Sequence, residues 1–443
     1  MPVLFLTAAL CAGGSLCAAE KVTETGGQTS VRLEQLPDSP SLLKAPAGAN
    51  VAVAKTAPKI EFAYFPGQWE GARLWSCWGD SLRAASGKFY ASVGDHDAPH
   101  GTAYVYEIDS AAGTVKLVSD YHAVVGVKDK AKYSSGKIHG AVVQDRDGKI
   151  YFFGYRGSVG KTRAEDGYKG DWLLKYDPET GKTENLGIAV PHCSVPVLLY
   201  QPGNHSLYGL AVPGKTAPKQ QDRFFRYDLG EDKLVFNGGQ EPNISRALIL
   251  GNDGRAFFTA EKGAKKVFAE YSPQSNKVTL LDVEVPGDGR LRAASRPDSG
   301  QVAWCLSNDG VIFGFDTSSP QVTAEVGTTF PVGKAYTADV ELDPTERYLY
   351  YVPGAHGRTS EAGTPVVQFD LKRKQVKAIA FLNTLLREEK GYNLGGTYGL
   401  ALSEDGSQLM INFNGAPLGN KQPDFGLCSV VIVHIPESER SGK

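Results

Sequence analysis

The chain has 443 residues, of which 51 are Gly and 25 Pro, with 10% aromatic residues and only 2 Met, a composition of many short strands and turns rather than of long helices. Its 47 basic residues against 49 acidic leave a formal charge of -2. That balance supplies no basic stripe and excludes nucleic acid from the expected partners.

In chain order, residues 1–19 are an apolar run of secretory length, with Cys17 and Ala19 acceptable around a cleavage site. They predict a signal peptide and a periplasmic or secreted protein, although no Lys or Arg precedes the apolar core. No other stretch approaches the length of apolar chain that spans a membrane. Residues 20–57 are rich in Thr, Ser, Pro, Ala and Gly without periodicity and read as a flexible N-terminal segment. From 58 to 436 the chain reads as one all-β domain, and 437–443 as a charged tail.

A hairpin recurs six times: YEIDSAAGTVKLV, LKYDPETGKTENL, FRYDLGEDKLVF, AEYSPQSNKVTLL, FGFDTSSPQVTAEV and VQFDLKRKQVKAIA. In each, an apolar residue (Ile108, Tyr176, Tyr227, Tyr271, Phe315, Phe369) precedes a turn-forming Asp or Ser, and an alternating strand follows. The markers are 44 to 68 residues apart, a spacing that suits one four-stranded blade per copy. The seventh copy, VIVHIPE, lacks its partner strand. An open sheet edge is costly, and the early strand IEFAYF is the natural donor. The expected fold is therefore an all-β, seven-bladed propeller of four-stranded antiparallel blades, its ring closed by an N-terminal strand.

Cys77, Cys193, Cys305 and Cys428 form no CxxC or CxxCH pair, which argues against structural zinc and covalent haem. They read as buried free thiols.

In a propeller, the starts of the innermost strands and the loops between second and third strands share one face. Those loops are long in blades six, seven, one, two and three and short in four and five, so one face carries a continuous arc of elaborated loops, as a binding cleft requires. Strand starts bring Trp78, Asp80, Lys137, His139, Arg246, Arg292, Asp339 and Tyr398 to this face. His139 there is a candidate general base near neutral pH, with Arg246 and Arg292 to neutralise a carboxylate and Tyr398 to protonate a leaving oxygen. The plainer role for His139 is a hydrogen bond across the channel to Asp80 or Ser194. The blade-two loop, with Tyr155, Arg156 and Lys169, lacks the GxxxxGK[ST] spacing of a phosphate loop and suits stacking on a sugar ring beside a carboxylate. Arg358 and Trp78 complete the candidate substrate-binding set. His96, His100 and His356 offer imidazoles for a divalent metal (Mn, Zn or Ca), while the GDHDAPHG loop around the first two also reads as solvated turn residues.

With blade punctuation such as DGKIY and YDPETG, the chain resembles secreted bacterial seven-bladed propellers of the broad YVTN-type, streptogramin-lyase-like and oligogalacturonate-lyase-like group, over residues 59 to 436. It has no WD dipeptide series. The resemblance implies a monomeric exported propeller that takes a carbohydrate or other small polar ligand, and the His, Arg and Tyr set resembles that of propeller polysaccharide lyases. The alternative is a non-catalytic scaffold that binds a glycan or an envelope protein.

Overall fold

A computed structural model describes residues 29–68, 74–96, 101–129, 132–157, 159–217, 221–238, 246–330 and 336–440. The signal-peptide reading of residues 1–19 lies outside them.

Two series of aspartates set the strand boundaries. In the hairpin copies, the carboxylates of Asp109, Asp177, Asp228, Asp316 and Asp370 accept from backbone amides two or three residues on, which fixes the turn between third and fourth strands. Asp145, Asp253, Asp298, Asp343 and Asp405 accept from amides two or four residues on between first and second strands. The apolar residue before each hairpin turn points inward: Ile108, Tyr176, Tyr227, Tyr271, Phe315 and Phe369 are all buried.

The result is seven antiparallel sheets taken in chain order. The innermost strands are Leu82–Arg83, Val143–Gln144, Cys193–Gln201, Ile249–Leu250, Leu291–Pro297, Glu341–Leu342 and Tyr392–Leu402. Among the described residues, the apolar core divides into seven clusters, one in each seam between neighbouring blades. Aromatic pairs bridge these seams, such as Phe224 with Phe258 (5.3 Å between ring centroids) and Phe268 with Phe315 (4.4 Å), and each fully buried side chain of this size stabilises by roughly 1.5–3 kcal/mol.

Strand Lys59–Tyr64 closes the ring as expected. It pairs antiparallel with Ser429–His434 from Ser429 opposite Tyr64 to His434 opposite Lys59. Buried amides then join blade seven to blade one. The Asn414 amide donates to the Cys77 carbonyl (2.9 Å) and accepts from its N–H (2.6 Å), while Gln68 accepts from the Cys428 N–H (2.7 Å). All four described cysteines are buried and free.

The segment read as a flexible linker carries three short strands from residue 29 onward. Ser30–Arg32 adds to the outer edge of blade one, Glu34–Gln35 pairs with the closing strand, and Ala52–Val53 runs parallel to the outer strand of blade six. Unpaired outer edges are templates that another strand can satisfy, and this aperiodic segment does so through its backbone. The chain end is also engaged. Glu439, in the short helix Glu437–Arg440, accepts from the amides of Lys55 and Thr56 and pairs with Lys377 (2.6 Å).

Candidate binding site at the channel mouth

Innermost strands crowd around the ring axis, and glycine allows it. A Cβ on Gly399 would come within 2.7 Å of the Gly79 carbonyl, and one on Gly94 within 2.6 Å of the Lys137 backbone. Close approach of blade one to blade two at Gly94 sets Lys137 beside Trp78.

Trp78 is the hub of the site. His96 lies 5.3 Å from it and His139 6.3 Å, both stacked; His356 at 5.4 Å meets it edge-on, Tyr398 at 5.0 Å is tilted, and Phe425 at 5.6 Å is stacked. The Lys137 amine stands 4.2 Å above the same ring. These groups come from blades six, seven, one and two, so the elaborated loops of those blades do converge. Behind the hub, a cavity of about 100 Å³ is lined by Trp78, Asp80, His139, Arg246, Arg292 and Tyr398, among others. It has room for several waters or one small charged group.

Its upper wall is cationic. Arg246 donates to Nε2 of His139 (3.1 Å), which leaves the Nδ1–H of the ring to donate to the Pro196 carbonyl (3.3 Å). Burial, together with Arg246, Lys137 and Arg292, pushes the His139 pKa well below the usual imidazole range. Arg292 stacks on Tyr336 at 3.8 Å, and its buried Nε has no hydrogen-bond partner among the described residues. Lys137, Arg156, Arg246 and Arg292 have no ion-pair partner among those residues. The charge of Asp222 reaches Arg246 and Arg156. Burial and the Lys137 charge lower His96 to about 4, and burial first, then Arg292, lowers His356. The Tyr398 hydroxyl is 2.6 Å from that of Tyr336, and burial pushes its pKa up, so it stays protonated.

Asp80 and Asp339 add carboxyls to the same lining, with Glu341 two residues beyond Asp339. Asp80 and Asp339 hydrogen-bond to each other, and burial raises both above the usual carboxylate range. Glu341 is pushed up to about 8, by burial first and by Asp339 second. Three enclosed carboxyls are therefore held toward their neutral forms.

The structure brings together Trp78, Asp80, His139, Tyr155, Arg246, Arg292, Tyr398, His96 and His356. Tyr155 lies 4.8 Å from the His139 ring and 5.5 Å from the Arg156 guanidinium, which donates to the Pro213 carbonyl. His139 makes neither of the hydrogen bonds expected to Asp80 or Ser194; Pro196 and Arg246 take its two nitrogens. Two predicted binding residues stand apart. Arg358 is exposed and paired with Glu361 (2.8 Å), lining a separate hollow with Pro46 and Phe330. Lys169 is exposed, and its backbone carbonyl accepts from His192.

His100 and Asp97 lie outside the described residues. The one group of three His, Cys, Asp or Glu side chains among the described residues with ligand atoms within 4.8 Å of one another is Asp145, Asp147 and His205, at the far ends of the innermost strands. Asp145 there is already occupied by the amides of Asp147 and Lys149 and the Tyr151 hydroxyl. His96 and His356 therefore form no metal set with a third described residue. Sequence reasoning missed Tyr336, Phe425 and Glu341. Tyr336 and Phe425 sit in loops without periodicity, whereas Glu341 could have been found as the second alternate residue after Asp339 in TADVELDP.

No protein-family model matches the chain, and no curated protein matches it in sequence. Solved structures do. It is similar to a structure described as that of U3-55K, with TM-score 0.53 and 10% identity over 84% of this chain and 98% of that one. It is also similar to a crystal structure of the RRP9 WD40 repeats, with TM-score 0.54 and 11% identity over 89% and 99%. These likenesses show the propeller fold alone, which this chain adopts without a WD dipeptide series. No helix among the described residues is long and apolar enough to cross a membrane.

Proposed function

We propose that the channel mouth binds an acidic carbohydrate and processes it by β-elimination, in an exported propeller of the polysaccharide-lyase-like kind. The observation that carries this reading is the gathering of Arg246 and Arg292, without ion-pair partners among the described residues, against His139, Tyr398 and the Trp78 ring. Arg292, part-buried with no ion-pair partner among the described residues, and the exposed Arg246 on the same cavity favour an anionic ligand, and a planar guanidinium matches a carboxylate.

The chemistry follows from those groups. Arginine on a uronate carboxylate makes the neighbouring C–H more acidic; a base removes that proton, and its electron pair forms a C=C bond as the C–O bond to the next sugar breaks. The departing oxygen takes a proton from Tyr398, which burial keeps protonated. Incubation with a panel of uronate polysaccharides should produce the ultraviolet absorbance of an unsaturated uronate. Saturable binding with no such product would leave a recognition scaffold instead. The absence of both binding and product across the panel would refute the acidic-carbohydrate reading.

A further inference from the structure

His139 has the strand position of a base but not a free lone pair: Nε2 accepts from Arg246 and Nδ1 faces the Pro196 carbonyl. Lys137, two residues earlier on the same edge, is differently placed. It is 6% exposed, and its amine has no hydrogen-bond acceptor among the described residues. It lies 4.2 Å above Trp78 and 5.2 Å from the Tyr155 ring. We propose that Lys137 is the proton acceptor of the channel mouth, standing as a free amine in the empty site and taking up a proton when an anionic group enters.

The inference rests on reading the site as an anion site. The described polar and charged groups around Lys137 are Trp78 and His96 from blade one, Tyr155 and Arg156 from blade two, His139 on its own segment, Arg246 from blade four and His356 from blade six. The three imidazoles are held neutral. Burial, then Arg246 and Arg156, lowers Lys137 to about 7, a range in which an amine can accept a proton at physiological pH. A carboxylate seated against Arg246 and Arg292 offsets the repulsion from Arg246 and gives the buried amine a counter-charge that opposes the cost of burying its charged form, so its pKa moves back up toward the ordinary lysine value of about 10.4. In the elimination, the same amine takes the proton from the C–H bond. One C–H and one C–O bond break, one C=C bond forms, and no oxidant or reductant is needed.

The test uses galacturonate, which carries the carboxylate but no leaving sugar, in calorimetric titrations with buffers of different ionisation enthalpy. Uptake of about 0.9 proton per bound anion is expected at pH 8, falling to about 0.1 at pH 6, since the free amine fraction follows a pKa of about 7. Lys137→Met should lose the uptake at pH 8 while keeping weaker binding through the arginines. Lys137→Arg, which preserves the charge if the methionine variant fails to fold, should bind without uptake at either pH. Binding by the unmodified protein without uptake at pH 8, or uptake that survives in either variant, would overturn the assignment. No binding of galacturonate at all would overturn the anion site itself, an outcome distinct from the other two.

Discussion

At the scale of single residues, burial decides which charges exist in the channel. Asp80, Asp339 and Glu341 are raised in the folded chain, so they keep protons that the unfolded chain releases above about pH 4.5. The folded state then binds more protons than the unfolded one, and stability falls as the pH climbs from about 4.5 to about 8. Lys137 acts with the opposite sign and in a higher window. Its folded value of about 7 lies below the unfolded one, so stability is regained above pH 7. Glu341→Gln should therefore lessen the loss of stability between pH 5 and pH 7, as measured by urea unfolding at both; an unchanged loss would show that Glu341 is ionised in the fold. Sequence made part of this residue pattern legible. Trp78, His139, Arg246, Arg292 and Tyr398 could be placed because each lies a short run of residues before a recognisable turn, as His139 before Asp145 and Arg292 before Asp298. Arg358 and Lys169 could not. Their loops follow no period, and the orientation of Arg358 depends on Glu361 and Asp424, the latter 66 residues away.

At the scale of elements, the ring is held by one strand taken from the far end of the chain. Lys59–Tyr64 supplies the fourth strand of blade seven, and Phe62 and Phe65 fill the seams on its two sides. A chain beginning after Tyr64 would expose the Ser429–His434 edge and should aggregate or fail to fold. A chain beginning at residue 58 loses the outer straps, the amide partners of Glu439 and the buried Leu36, Leu42 and Ala54 of the seam between blades six and seven, and should fold with a lower melting temperature. Thermal unfolding of the two truncations checks this, and equal behaviour would contradict the closure. The closing strand was legible because a seventh hairpin without a partner demands one. The straps were not, because they pair through the backbone and bury only scattered side chains, Leu36, Leu42 and Ala54, that follow no period.

At the scale of the molecule, seven blades bring seven strand starts to one axis, and unequal loop lengths make that axis lopsided. The long loops of blades six, seven, one and two meet over Trp78, while Arg246 and Arg292 arrive from the plainer blades four and five. The polar set thus forms only when the whole ring closes, and no single blade contains it. The most direct test of this account is a titration of intrinsic tryptophan fluorescence with trigalacturonate, with Trp78→Phe to confirm the reporter. The account predicts a saturable change that Arg292→Gln weakens by about ten- to a hundred-fold, through loss of a charge-assisted hydrogen bond of about 1.5–3 kcal/mol, and that Arg358→Gln leaves unaltered. An absence of any saturable change, or equal weakening by the two arginine variants, would contradict it.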